Sequence, residues 1–149
     1  TFAFRNYPAD DLAGFLATAM GPERYAAQIA DPAYGLRIAR DSSNDIIGFI
    51  KMGPNDLPLV EGDAADTTWE LHQLYLLPAA KGTGLAQKLM AWGVEWAMQR
   101  GAKCLYLSVY SENPRAQNFY AKYGFVEVGK NPFMVGNTCD DDRIWRKPL

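Results

Sequence analysis

Apolar residues recur at helical spacing in four stretches of this chain, and the stretches between them are short, β-rich runs. From Asp10 to Met20 the stripe is Leu12, Phe15, Leu16 and Ala19, and a second helical stretch runs from Pro22 to Ala30 until Asp31-Pro32 stops it. Leu36 to Arg40 and Ile46 to Met52 read as strands joined through the polar cluster Ser42-Ser43-Asn44-Asp45. Gly53 to Thr68 carries Pro54, Pro58, Gly62 and the acidic residues Asp56, Glu61, Asp63 and Asp66, the composition of a solvated loop. Trp69 to Leu77 is a strand ended by Pro78. Gly84 to Arg100 is the strongest helix, with Leu85, Leu89, Trp92, Gly93 and Trp96 on one face and Gly101 as a left-handed stop. Cys104 to Tyr110 is apolar on both faces, which predicts a central strand parallel to Trp69–Leu77 across a βαβ crossover. Asn113-Pro114 caps a helix striped by Ala116, Phe119, Tyr120 and Tyr123 and closed by Gly124. Strands near 125–128 and 142–146 complete an α/β (α+β) pattern, read as a single domain over 1–149.

Composition narrows the function classes. Apolar residues make up 48% and charged residues 21% of 149, which suits a folded domain with a core of its own. With 15 basic against 17 acidic residues the net charge is -2, and no basic run offers a footprint for nucleic acid. Cys104 and Cys139 lie far apart without a second ligand at metal spacing, so no metal is expected, and Cys104 within KCLYLSV reads as a buried thiol of a reducing compartment. No apolar stretch is long enough to span a membrane and no signal-peptide layout opens the chain, so the expected location is cytoplasmic.

The candidate chemistry starts at Lys81-Gly82-Thr83-Gly84-Leu85-Ala86, between a strand and a helix. There the first free backbone N–H groups of the helix and the positive end of its dipole make an anion site, and glycines let a diphosphate come close. An ordinary strand-to-helix turn is the alternative. A P-loop needs GxxxxGK[ST], which is absent, and the dinucleotide pattern GxGxxG fails at Gln87.

LYLLPAAKGTGLAQKLM resembles motif A of the GNAT family of N-acetyltransferases, whose loop reads [QR]xxGx[GA], with Lys81 in the place of the usual Gln or Arg. SENPRAQNFYAKYGF is similar to motif B of the same family, and the likeness extends over roughly 46–146. It implies the GNAT fold, a mixed sheet of six to seven strands with flanking helices and two splayed parallel strands, and acetyl-CoA as co-substrate. The pantetheine arm would lie between Trp69–Leu77 and Leu105–Tyr110, held by backbone near Leu74, Leu76 and Leu77. The backbone of Lys81, Gly82, Thr83, Gly84, Leu85 and Ala86 would hold the pyrophosphate.

Further roles follow from the resemblance. Asn113 matches a residue that contacts the cofactor and would equally cap its helix. Tyr120 matches the tyrosine that protonates the departing thiolate, although its stripe also suits core packing. Acetylation needs a neutral amine, hence a base. Glu70 and His72 share a strand face toward the acceptor, and either of them, or ordered water, could serve; His72 stands where the family commonly has Glu. Lys122 resembles a residue that meets the 3'-phosphate, or is an exposed helix lysine. Trp69, Trp92 and Trp96 read as core.

PFMVGNTCDDDRIWRKPL resembles the last hairpin of bacterial polyamine (spermidine/spermine) N-acetyltransferases, and the acids at 61, 63, 66 and 140–142 could receive a polyamine. The expected acceptor is a small primary amine; a protein or peptide acetyltransferase and a non-catalytic acyl-CoA sensor are the alternatives. Family members are frequently homodimers. The family opens with a strand before its first helix, whereas this sequence reaches its helix at once, so that strand is expected to be missing or shortened.

Overall fold

The structure, a computed structural model, describes residues 7–18 and 20–149. Its elements are α1 (Ala9–Thr18), α2 (Pro22–Ala30), β1 (Gly35–Arg40), β2 (Ile46–Pro54), β3 (Thr68–Leu76), α3 (Leu85–Met98), β4 (Cys104–Tyr110), α4 (Pro114–Lys122), β5 (Val126–Val135) and β6 (Thr138–Pro148). Among the described residues the strands form one six-stranded sheet in the order β1-β2-β3-β4-β6-β5. Every neighbouring pair is antiparallel except β3 and β4, which the α3 crossover makes parallel. The position of a strand ahead of α1 lies outside the described residues, as does that of Ala19.

α3 and α4 cover one face of the sheet. Leu89, Met90, Trp96 and Ala97 of α3 and Tyr120 of α4 close over Ile50, Met52, Leu71, Leu105, Leu107 and Val109. Each fully buried aliphatic side chain here contributes about 1.5–3 kcal/mol relative to exposure. The helix lies close to β2 because position 93 is glycine: a Cβ there would stand 2.8 Å from Ile50 Cδ1. Trp69 and Trp96 meet edge to face at 5.1 Å, and the Arg100 guanidinium lies 3.8 Å from the Trp96 ring, so these tryptophans pack structurally as expected.

The other face is covered more thinly. α1 buries no residue fully and meets β5 through Phe15 on Phe133, ring centroids 5.5 Å apart. Asp11 accepts a hydrogen bond from the Asn137 N–H at the β5–β6 turn. α2 docks through Tyr25, whose hydroxyl donates to Gln73.

Two sequence expectations need correction. The last strands extend far beyond 125–128 and 142–146, because backbone pairing continues from Val126↔Arg146 to Val135↔Thr138 through residues without apolar alternation. Pro132 is tolerated because β5 is a sheet edge, where the missing N–H is not needed by a further strand. The acidic 53–68 loop is anchored rather than merely solvated. Asp63 binds Arg146 Nε and Nη2 at 2.6 Å each and accepts the Tyr106 hydroxyl at 2.6 Å, beneath Leu57 and Val60 packed on Tyr106 and Ile144. Arg146 holds the Asp63 carboxyl far below the usual carboxylate range, while burial pushes the Tyr106 phenol up. No helix among the described residues is long and apolar enough to cross a membrane.

Candidate active site at a forked pair of strands

β3 and β4 pair only at Thr68↔Cys104, Trp69↔Leu105 and Glu70↔Tyr106. Beyond them β3 runs on to Leu76 along β2, and β4 runs on to Tyr110 along β6, so the two strands diverge into a fork. The backbone edges of Leu71–Leu76 and Leu107–Tyr110 that face the fork have no strand partner, and such edges can take an extended ligand like an added strand.

A bulge governs which β3 side chains face which way. Lys51 pairs with Gln73 but Met52 with Leu71, leaving His72 as the extra residue. Leu71 before the bulge and Leu74 and Leu76 after it therefore all enter the α3 core. Glu70, His72, Gln73 and Tyr75 face the other side, toward α2 and the β2–β3 loop. Alternation predicts that Glu70 and His72 share a face, but not that Gln73 and Tyr75 join them while Leu74 and Leu76 turn to the core.

At the outer end of the fork, Pro78–Ala80 forms a single 3-10 turn and the chain passes to α3 through Gly82 and Gly84, both at φ +83°. A non-glycine residue would be strained at either position, and a Cβ at either would meet no protein atom within 4 Å, so the glycine edge is open. The first intrahelical bond is Lys88 N–H to Gly84 O at 3.2 Å, and no side chain caps the helix. The amides of Leu85, Ala86 and Gln87 therefore lack intrahelical acceptors. Gln87 joins the predicted 82–86 set, a position countable from a helix start but not from a motif. Two expectations change: the Lys81 N–H closes the turn onto Pro78 O, and the Leu77 N–H is bonded to Ile47 O, so neither amide is available to a ligand.

Asn113 caps α4, its side chain accepting the Ala116 N–H at 3.2 Å. Lys122 is exposed in a groove of about 650 Å³ between α3 and α4 that Gln87, Arg115, Asn118, Phe119 and Tyr123 also line. The sequence reading did not single out Arg115, although its i, i+7 spacing from Lys122 puts both on one face of α4; the packing of α4 beside α3 adds Gln87 to the same groove.

Tyr120 is buried between Phe119 and Phe125, at centroid distances of 5.5 and 5.9 Å. Burial, reinforced by the nearby Tyr75 phenol, pushes its hydroxyl well above the ordinary tyrosine value. It is kept protonated, a donor rather than a base.

On the opposite face, His72 Nδ1 lies 3.2 Å from Glu70 Oε1, and Nε2 lies 3.0 Å from Pro54 O. Glu70 Oε2 accepts the Asp56 N–H at 2.9 Å. Lys51 is buried beside them and donates to Gln28 at 3.0 Å; burial, with the Arg24 charge, lowers its pKa, while Glu70 and Asp56 oppose the shift. Asp56, Glu70 and His72 bring ligand atoms within 4.8 Å of one another, but the ring nitrogens already have partners. Of the acids proposed to receive an amine, Asp63 is consumed by Arg146 and Asp141 pairs with Arg143 at 2.7 Å; Asp140 is buried beside Tyr7.

Residues 3–125 match the sequence pattern of the acetyltransferase (GNAT) family. The chain belongs to that family. It is 34% identical over 140 residues to an N-acetyltransferase of Mycobacterium tuberculosis, covering 94% of this chain and 83% of the relative. It is 26% identical over 152 residues to an N-acetyltransferase of Lactobacillus delbrueckii, covering all of this chain and 84% of that one. Solved structures share the fold. Nourseothricin acetyltransferase superposes with a TM-score of 0.67 at 22% identity, covering 79% of this chain and 66% of that one. A Bacillus anthracis acetyltransferase crystallised with acetyl coenzyme A superposes at 0.68 and 23% identity, covering 84% and 68%. The spermidine/spermine N-acetyltransferase of Vibrio cholerae superposes at 0.64 and 24%, covering 85% and 70%. The enzyme is thus an N-acetyltransferase with a mixed α/β sheet flanked by helices.

Proposed function

We propose that this acetyltransferase moves the acetyl group of acetyl-CoA directly onto the primary amine of a small molecule, with polyamines the first acceptors to test. The observation that carries the reading is the fork beyond Glu70↔Tyr106, which opens at its outer end onto the unpartnered amides of α3. Leu74 and Leu76 offer backbone to the pantetheine arm, and the amides of Gly82 to Gln87 take the pyrophosphate. Arg115 and Lys122 supply cations for the 3'-phosphate, and Asn113 borders the arm from the start of α4.

The face opposite α3 and α4 receives the amine. Glu70, Asp140 and Asp142 lie on that face, which favours a cationic acceptor. The amine loses a proton to a base drawn from Glu70, His72 or water and attacks the acetyl carbon. As the C–N bond forms and the C–S bond breaks, Tyr120 protonates the sulfur and recovers the second nitrogen proton. A protonated phenol in a dry setting suits that donation.

A panel of polyamines, amino sugars, amino acids and peptides assayed by CoA-thiol release tests both halves of the reading. Release with free amines is expected. Turnover of peptide N-termini but not of free amines would refute the acceptor class. Acetyl-CoA binding without thiol release on any acceptor would mark a non-catalytic acyl-CoA module.

A further inference from the structure

The loop between β2 and β3 covers the paired part of β3 and β4 and stops where the fork opens. Of the pairs Thr68↔Cys104, Trp69↔Leu105 and Glu70↔Tyr106, the middle one turns to the α3 core and the outer two turn to the acceptor face. Each of those outer side chains holds the loop. Thr68 Oγ1 donates to Ala64 O at 2.8 Å, and the Cys104 thiol donates to Asp63 Oδ1 at 3.5 Å. Glu70 Oε2 accepts the Asp56 N–H at 2.9 Å. The Tyr106 hydroxyl accepts the Val60 N–H at 3.1 Å and donates to Asp63 Oδ2 at 2.6 Å. Past this last pair the pattern changes, and Ser108 donates to Asp142 of β6 at 3.1 Å.

Residues 56–64 are thus a strap pinned to both strands at the vertex of the fork. Leu57 and Val60 pack with Cys104, Tyr106 and Ile144 into a small core of their own, and Tyr106 and Cys104 are buried beneath them. Polar anchors and packed side chains together hold the strap against displacement. With the pyrophosphate at the outer end of the fork, the arm of acetyl-CoA runs inward from Leu76 toward Leu71, so its thioester comes to the vertex beside the strap. An acceptor nitrogen that reaches the acetyl carbon from the acceptor face then has the strap on its vertex side. The rest of the acceptor must lead away from it.

We propose that the strap makes the acceptor site a dead end, so that the enzyme selects an amine at the end of a chain, unsubstituted on nitrogen and unbranched at the carbon that bears it. The proposal rests on the reading of the fork as the acetyl-CoA site. Tyr106 is a positioning residue in it: its hydroxyl joins Val60 to Asp63 and latches the strap onto β4. A methyl group on the nitrogen or on the adjacent carbon presses on the strap, and one carbon too many in an apolar pocket costs about 10–200-fold. Linear polyamines meet the requirement at their end nitrogens and fail it at internal ones. Most amino acids and peptide N-termini carry a branch beside the nitrogen and fail it too.

The test compares symmetric linear diamines with counterparts methylated on both amine-bearing carbons or on both nitrogens, assayed by CoA-thiol release. In the wild type each kind of methylation should lower kcat/KM by about 10–200-fold. Leu57→Ala shortens a side chain packed under the strap at the vertex and should recover most of that loss. Its KM for acetyl-CoA and its kcat/KM for the unbranched diamine should stay within about threefold of wild type, far short of that range. Tyr106→Phe keeps the packed ring and cuts the latch. In a Cys139→Ser background it should speed labelling of the buried Cys104 by a small thiol reagent by roughly two- to tenfold, the worth of one net hydrogen bond. The penalty on methylated diamines should fall with it. Methylated and unbranched diamines turned over within about threefold of each other by the wild type, well below the expected range, would overturn the proposal. So would a penalty that stays whole in both variants, and unchanged Cys104 labelling would overturn the latch. If the wild type releases thiol with no amine, the functional reading fails and takes the dead end with it, whereas turnover without discrimination against branching overturns the dead end alone.

Discussion

Asparagine at position 63 would keep the shape of the side chain that ties the β2–β3 loop to the sheet and remove its charge. In the native protein Asp63 receives Arg146 through two contacts of 2.6 Å, the Tyr106 hydroxyl at 2.6 Å and the Cys104 thiol at 3.5 Å. Its side chain is 7% exposed, that of Arg146 21%, so one end of the pair is dry and the other touches water. Breaking a buried pair from one side costs about 3–5 kcal/mol because the remaining charge stays desolvated. For a domain of this size each kcal/mol lowers Tm by about 2–4 °C, so Asp63→Asn should melt about 6–20 °C lower at neutral pH. The pH dependence gives a second check. The folded-state pKa of Asp63 is depressed below its unfolded value, so its contribution is fully present above the unfolded pKa and fades as pH falls toward the folded one. The gap between wild type and variant should therefore hold constant at neutral pH and shrink below about pH 4, by about 1.4 kcal/mol per pH unit. Circular-dichroism melts of both proteins from neutral to acidic pH would measure it. A neutral-pH difference below about 1 kcal/mol, the scale of an exposed pair, would show that the cluster adds little stability. An undiminished gap in acid would show that charge is not its source. Acetyl-CoA affinity should change little, since both residues meet the sheet at Tyr106, where β3 and β4 are still paired, and neither reaches the glycine turn.

Other outcomes follow from single positions. Tyr120→Phe keeps the ring packed against Phe119 and Phe125 and should lower kcat by about 10²–10⁴-fold with acetyl-CoA binding intact, checked by thiol release and calorimetry. Gly84→Val places a branched side chain at φ +83°, costing about 1–2 kcal/mol of backbone strain, and its bulk should raise the KM for acetyl-CoA more than it lowers Tm. Gly35→Ala puts a Cβ 2.4 Å from Trp96 Nε1, so the ring must move; overpacking of about 1–3 kcal/mol and a changed tryptophan emission spectrum are expected. Arg115→Ala with Lys122→Ala should weaken acetyl-CoA binding and flatten its salt dependence, while binding of a CoA analogue lacking the 3'-phosphate should change little.

By itself the sequence determined the local features of this enzyme. Helical stripes, the Gly82 and Gly84 turn and the Asn113-Pro114 cap all depend on neighbours a few positions apart, where periodicity and backbone preference act directly, and the βαβ crossover follows from the order strand, helix, strand. Helix ends at Gly101 and Gly124 were legible for the same reason, since φ of +73° and +84° favours glycine wherever it occurs. What depends on distant partners was not legible. The long β5–β6 hairpin is held by cross-strand hydrogen bonds that ignore side-chain alternation, and Asp63 looked like a solvated loop acid until Arg146 arrived from the other end of the chain. That the Lys81 and Leu77 N–H groups already have acceptors, one in a turn and one on β2, was likewise not legible from their positions. The pair Glu70 and His72 shows the division most clearly: a strand pattern places them on one face, but only the bulge, the Pro54 carbonyl and the Asp56 amide fix how the carboxylate and the imidazole sit there. Those partners come from β2 and its loop, brought alongside β3 by sheet pairing, and no spacing along β3 encodes them.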